Sequence, residues 1–142
     1  MVYPYLSYCC NVWGGCYDIH MKPLFTLQKR IIRIMNNESF LAHTGPLFLM
    51  DKILKVKDIY RFSLGVYMYR NRGSIDFIRQ HGYFTRGRQS LLPTYQRLST
   101  TQQSVFFAAP SSWNSILEYI RNSATLPIFI CRFKNFLCGG YV

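Results

Sequence analysis

Apolar residues recur every three or four positions over much of this chain, which is the spacing of helices. The clearest run covers 21–36, where Leu24, Leu27, Ile31 and Ile34 form an apolar stripe. Lys22, Lys29 and Arg33 fall at i, i+7 and i+11 and share another face of that helix. Asn36-Asn37 ends it, since Asn tolerates the left-handed conformation of a helix terminus. Residues 3–12 predict a short helix with Pro4 in its first turn, stopped by Gly14-Gly15. Residues 45–53 predict another, entered through Pro46. A further helix over 56–71 has Ile59, Phe62, Val66 and Tyr69 as its core stripe. Asp58 stands in its first turn and Arg70 and Arg72 at its end, each with the sign that suits the helix dipole.

The sequence changes character after about residue 82. Thr, Ser, Gln, Tyr and Phe dominate, and two short strands are predicted, over 92–97 and 103–108. A helix is predicted from Pro110 to about Tyr119, with Trp113 as a core anchor and Asn114 bonding local backbone. Thr125 caps the last helix, and Pro127 lies in its first turn. Phe129, Phe133, Phe136 and Leu137 form its apolar face, Arg132 and Lys134 its wet one. The expected fold is mainly α. A helical first segment, 1–75, precedes a small α+β segment, 82–142, with one short β-hairpin.

Charge changes the picture. The 142 residues include 17 Lys plus Arg against 6 Asp plus Glu, a net charge of +11. With 49% hydrophobic residues the chain is far too apolar for a disordered one. Between residues 52 and 97 lie ten bases, opposed by Asp58 and Asp76 alone. Tyr60, Phe62, Tyr67, Tyr69, Tyr83, Phe84 and Tyr95 interleave with them. Guanidinium groups match phosphate oxygens, and rings stack on bases. Nucleic acid is the partner this pattern suits first, and an acidic protein is the alternative. The phosphate-contacting candidates are Lys22, Lys29, Arg30, Arg33, Arg70, Arg72, Arg86 and Arg88.

Enzyme chemistry finds little to build on. There is no P-loop, no G-x-G-x-x-G and no G-x-S-x-G. No two acids lie close enough along the chain to suggest a two-metal site. The five cysteines are Cys9, Cys10, Cys16, Cys131 and Cys138, with no C-x-x-C pair, so zinc is not expected. They read as buried structural thiols in a reducing compartment, cytoplasm or nucleus. No catalytic, metal-binding or cofactor-binding residue is assigned, and no membrane span is expected. Residues 1–17 are apolar on too many sides for a free surface helix, which makes self-association through them the second reading of the partner.

The order of motifs adds a further expectation. The matching pieces begin with Tyr3-Pro4-Tyr5-Leu6-Ser7-Tyr8-Cys9, Val12-Trp13-Gly14, Leu27-Gln28-Lys29-Arg30 and Ile32-Arg33-Ile34. His43-Thr44-Gly45-Pro46-Leu47-Phe48 and Ile53-Leu54-Lys55-Val56-Lys57-Asp58-Ile59-Tyr60 follow. Thr85-Arg86, Pro110, Trp113-Asn114-Ser115, Ile120-Arg121, Phe133-Lys134 and Leu137 complete the series over about 135 residues. In this order the chain resembles the C-terminal region of jockey-like non-long-terminal-repeat retrotransposon polyproteins, downstream of the reverse transcriptase palm. It departs from that pattern at Phe84, Ala109 and Leu117-Glu118. The resemblance implies thumb-like helices followed by a C-terminal region, in a truncated fragment of an RNA-directed DNA polymerase. The family's aromatic-x-Asp-Asp metal motif has no counterpart here, so the fragment is expected to be no enzyme by itself. What it implies instead is weak, non-specific binding of RNA or RNA–DNA hybrid through phosphate contacts and shape.

Overall fold

The computed structural model describes residues 3–72, 91 and 96–139, and the elements in that part are helices. In chain order they are α1 (Tyr3–Ser7), α2 (Cys10–Trp13), α3 (Asp18–Met35), α4 (Gly45–Met50), α5 (Val56–Arg70), α6 (Ser99–Gln102), α7 (Val105–Asn114), α8 (Glu118–Arg121) and α9 (Leu126–Gly139). The run predicted over 3–12 is broken in two by Cys9, whose φ of 48° is left-handed. Trp13 closes the corner by donating its indole N–H to the Tyr8 carbonyl at 2.8 Å. Among the described residues, no helix is long and apolar enough to cross a membrane.

α3 begins at Asp18, three residues before the predicted start, and takes Pro23 into its sixth position. Its end follows the prediction. Asn37 adopts a left-handed φ of 52°. Glu38 N–H then reaches Arg33 O at 2.9 Å and Asn37 N–H reaches Ile34 O at 3.2 Å, the paired bonds of a Schellman cap. α4 ends the same way with Lys52 left-handed, Ile53 N–H bonding Phe48 O and Lys52 N–H bonding Leu49 O. The two ends are tied together: Asn36 Nδ2 donates to Ile32 O at 3.0 Å and to Asp51 Oδ2 at 2.7 Å.

The buried face of α3 differs from the predicted stripe. Met21, Gln28 and Ile32 are buried, whereas Leu27 and Ile34 are exposed, at 52% and 73%. The reason lies in Gln28. Its Nε2 donates to Leu54 O at 2.8 Å and its Oε1 accepts from Val56 N–H at 3.0 Å. This buried amide clasps the strap leading into α5, and burying a polar group so well paired offsets its desolvation. Turning Gln28 inward rotates Leu27 outward.

α5 is the central element, packed against α1, α2, α3, α7 and α9. Ile59 and Tyr69 of its predicted stripe are buried, and Phe62 and Val66 pack against the same core. Leu64, Gly65 and Met68 are buried on other sides. At Gly65 a side chain of α9 lies close against α5: a Cβ there would lie 2.4 Å from Cε1 of Phe133.

The second segment departs most from expectation. The predicted strand over 103–108 is the entry and first turn of α7, with Phe107 and Ala108 N–H groups bonding Ser104 O. Of the other predicted strand, residues 92–95 lie outside the described residues, and Gln96 and Arg97 form no strand. Short apolar runs such as 105–109 suit helix or strand, and packing decides between them. Here Ala109 and Val105 pack with Leu64 and Met68 of α5, on one face of a helix. Pro110, expected to start a helix, is sixth in α7 and buried. α7 stops at Asn114, and residues 118–121 form a separate turn of helix, α8.

Aromatic rings hold the two segments together. Phe129 of α9 is fully buried and stacks on Tyr69 of α5 at 4.5 Å, with Trp113 at 5.8 Å and Phe133 at 5.4 Å. The Tyr69 hydroxyl donates to Ser123 O at 2.7 Å. Phe129 and Phe133 are buried as expected, while Phe136 is 38% exposed. Asn114 bonds no local backbone: its Nδ2 donates to Leu91 O at 2.7 Å and its Oδ1 accepts from Leu91 N–H at 2.9 Å.

Candidate nucleic-acid interface

The inward turn of Met21, Gln28 and Ile32 sets the direction of the α3 cations. Lys22, Lys29 and Arg33 share one flank, as their spacing predicts. Lys29 Nζ lies 4.4 Å from the centre of the Phe25 ring, Phe25 stacks on Phe48 at 6.1 Å, and Lys55 Nζ lies 6.0 Å from the centre of Phe48. Two rings thus bridge the bases of α3 to those before α5.

Beside them a groove of about 430 Å³ opens between α3 and the start of α5. Lys22, Lys55, Lys57 and Arg61 line it, with Asp18 and Asp58 as the opposing acids. Lys57 Nζ lies 2.7 Å and 2.8 Å from the two carboxylate oxygens of Asp18. That bond and charge hold the Asp18 carboxyl below its ordinary pKa, and Lys22 adds to the effect. Arg61 pairs with Asp58 at 3.5 Å. The Lys57–Asp18 pair is exposed on both sides, whereas Asp58 is buried beneath an exposed Arg61. An exposed pair adds little to stability, so a phosphate oxygen can compete with Asp18 for Lys57.

The remaining predicted bases are distributed elsewhere. Arg30 and Arg33 both approach the Phe40 ring, each guanidinium 5.8 Å from its centre. Arg70 ends α5, thirteen residues beyond Lys57 or roughly 20 Å at the helical rise, and Arg72 lies just past it. Arg72 lies over Tyr69 at 4.3 Å. Arg86 and Arg88 lie outside the described residues. The site residues missed from the sequence are Lys55, Lys57 and Arg61. Their signal was available: Lys57 and Arg61 are i, i+4 on one helix face.

The rings expected to interleave with these bases turn mostly inward. Tyr69 is buried, and Tyr60, Phe62 and Tyr67 are half-buried, because α5 is enclosed on several sides. Among the described residues the buried Tyr60 hydroxyl has no hydrogen-bond partner, and burial raises its pKa, with Cys10 and Cys16 adding. The five cysteines are free thiols. Cys10 is buried as expected, and burial pushes it up to about 11. Cys9 and Cys131 are exposed, against expectation, because Cys9 occupies the turn between α1 and α2 and Cys131 the outer face of α9. Among the described residues, no group of three or more His, Cys, Asp or Glu is placed to hold a metal ion. No protein family, curated protein or solved structure matches the chain.

Proposed function

We propose that this chain is the post-palm, thumb-side and downstream part of a jockey-like retrotransposon RNA-directed DNA polymerase. In this reading it lacks the polymerase site and binds RNA or RNA–DNA hybrid weakly and without sequence preference. The collinear motifs support the origin, and the mainly helical architecture agrees with a thumb-like segment. The observation that carries the binding is the groove where Lys22, Lys55, Lys57 and Arg61 converge from two helices and a connecting strap. Phosphates seated there meet these cations through charge-assisted bonds, and none of those bonds reads a base.

Four neutralised phosphates predict that log affinity falls against log salt with a slope of about −3 to −4. A filter-binding series on RNA and hybrid at rising salt measures it. The double variant Lys57→Ala, Arg61→Ala should reduce the slope by about 2. Affinity independent of salt, or unaltered in the double variant, would contradict the reading.

A second reading is favoured by one observation at the N-terminus. Tyr5, Tyr8 and Val12 are 81%, 76% and 81% exposed, a patch suited to self-association. Light scattering separates the two: a dimer indifferent to RNA supports the second, a monomer that binds RNA the first.

A further inference from the structure

The loop between α3 and α4 holds a ring that the protein itself does not cover. Phe40 is 68% exposed, and Leu41 beside it is 88% exposed. This loop is tied at several points. The Schellman bonds of Glu38 and Asn37 hold its start. Ala42 N–H bonds Ser39 O at 3.0 Å, and Arg33 Nε donates to Ala42 O at 2.9 Å. The apolar seat nearby is already filled by Ile32, Leu47 and Phe48, with Phe25 and Ile53 against them. Phe40 is thus fixed outward instead of folding in, and leaving a large ring in water forgoes about 1.5–3 kcal/mol of burial.

Its neighbours suggest what covers it. The guanidiniums of Arg30 and Arg33 both stand 5.8 Å from the ring centre, within the range of cation–π attraction. Ala42 O engages Arg33 through Nε, and the Nη groups carry further N–H donors. With those guanidiniums over it the ring is still 68% exposed, which leaves surface where an unpaired base can stack while its flanking phosphates meet the cations. A base inside a duplex offers no face to such a ring. We infer that Phe40, with Arg30 and Arg33, is a stacking platform for one unpaired base, which gives the chain a preference for single-stranded RNA or DNA over hybrid duplex. The inference rests on the nucleic-acid reading above and adds a residue, a contact and a strand preference to it.

The test uses fluorescence anisotropy of the full chain with a labelled 15-nucleotide oligo(U) and with a hybrid of equal length. Phe40→Ala should weaken oligo(U) binding about 5- to 100-fold. The hybrid should change by less than about twofold, since duplex contacts run through phosphates. Phe40→Trp should retain oligo(U) affinity, and its added indole emission should be quenched on binding. A thermal melt of Phe40→Ala matching the parent shows that the fold is kept. Unaltered oligo(U) binding by Phe40→Ala, or an equal loss on the hybrid, overturns the platform. If Lys57→Ala, Arg61→Ala weakens both ligands while Phe40→Ala alters neither, only the platform fails. If the parent chain binds neither ligand, both readings fall. An exposed Phe40 seated instead in a protein pocket would show as Phe40-dependent self-association in light scattering, with oligo(U) affinity unchanged.

Discussion

α3 and α5 are helices of similar length, 18 and 15 residues, with similar apolar spacing. α5 is surrounded by α1, α2, α3, α7 and α9, so nearly every apolar residue it carries finds a neighbour. α3 packs chiefly on α4 and α5 and buries a single face. That face is centred on a glutamine, and two of the four residues of its most regular apolar stripe, Leu27 and Ile34, point into water. Periodicity identifies a helix reliably, but the number of neighbours determines how much of its surface is buried. The same contrast governs charge. Lys22, Lys29 and Arg33 share one flank of α3, with Lys29 and Arg33 held against Phe25 and Phe40, while the cations of α5 lie near its two ends.

Substitutions can break this contrast. Ile59→Ala on α5 removes a fully enclosed side chain and should lower the unfolding free energy by about 2–5 kcal/mol in urea titrations. A loss under about 1 kcal/mol would mean that α5 is not the core element. Next in size, Gln28→Leu strips Leu54 O and Val56 N–H of their partners. It should cost about 1–3 kcal/mol despite being more apolar. A stabilised Gln28→Leu variant would show that the clasp does not hold α3 in place.

A smaller effect concerns pH. Burial raises the Cys10 thiol from 9.0 to about 11, so the folded state retains a proton that the unfolded state releases. Its contribution is fully present below pH 9 and is lost as pH rises through about 11. Tyr3 and Tyr60 are raised in the same direction by burial. Urea midpoints at rising alkaline pH should therefore fall less steeply for Cys10→Ala than for the parent; identical slopes would remove Cys10 from the account. The smallest effect is expected at Leu27→Gln, within about 0.5 kcal/mol, because the side chain is already in water. A loss of 2 kcal/mol there would restore the stripe that the periodicity suggested.

Several elements were legible before any coordinates. The helix over 56–71, the stop at Asn36-Asn37 and the inward Phe129 and Phe133 follow from local spacing and cap chemistry. The hairpin did not materialise over 103–108, because Val105 and Ala109 meet Leu64 and Met68 on one helical face. Pro110 reads as a helix start and proved interior, since packing extended α7 by more than a turn ahead of it. Gln28 and Asn114 belong to motifs that carried the family resemblance, yet each clasps remote backbone, at 26–28 and 23 residues' separation. No local rule announces such a bond.

The sequence by itself determined that this chain is helical, strongly basic and aromatic, because those properties depend on near neighbours and on sums over residues. It also placed Lys22, Lys29 and Arg33 on one flank of one helix. Only the tertiary structure decided which helix face went inward, which rings stayed exposed, and that Lys55, Lys57 and Arg61 join Lys22 around one groove. Those outcomes depend on contacts between residues far apart in the chain, where burial, amide pairing and close packing compete.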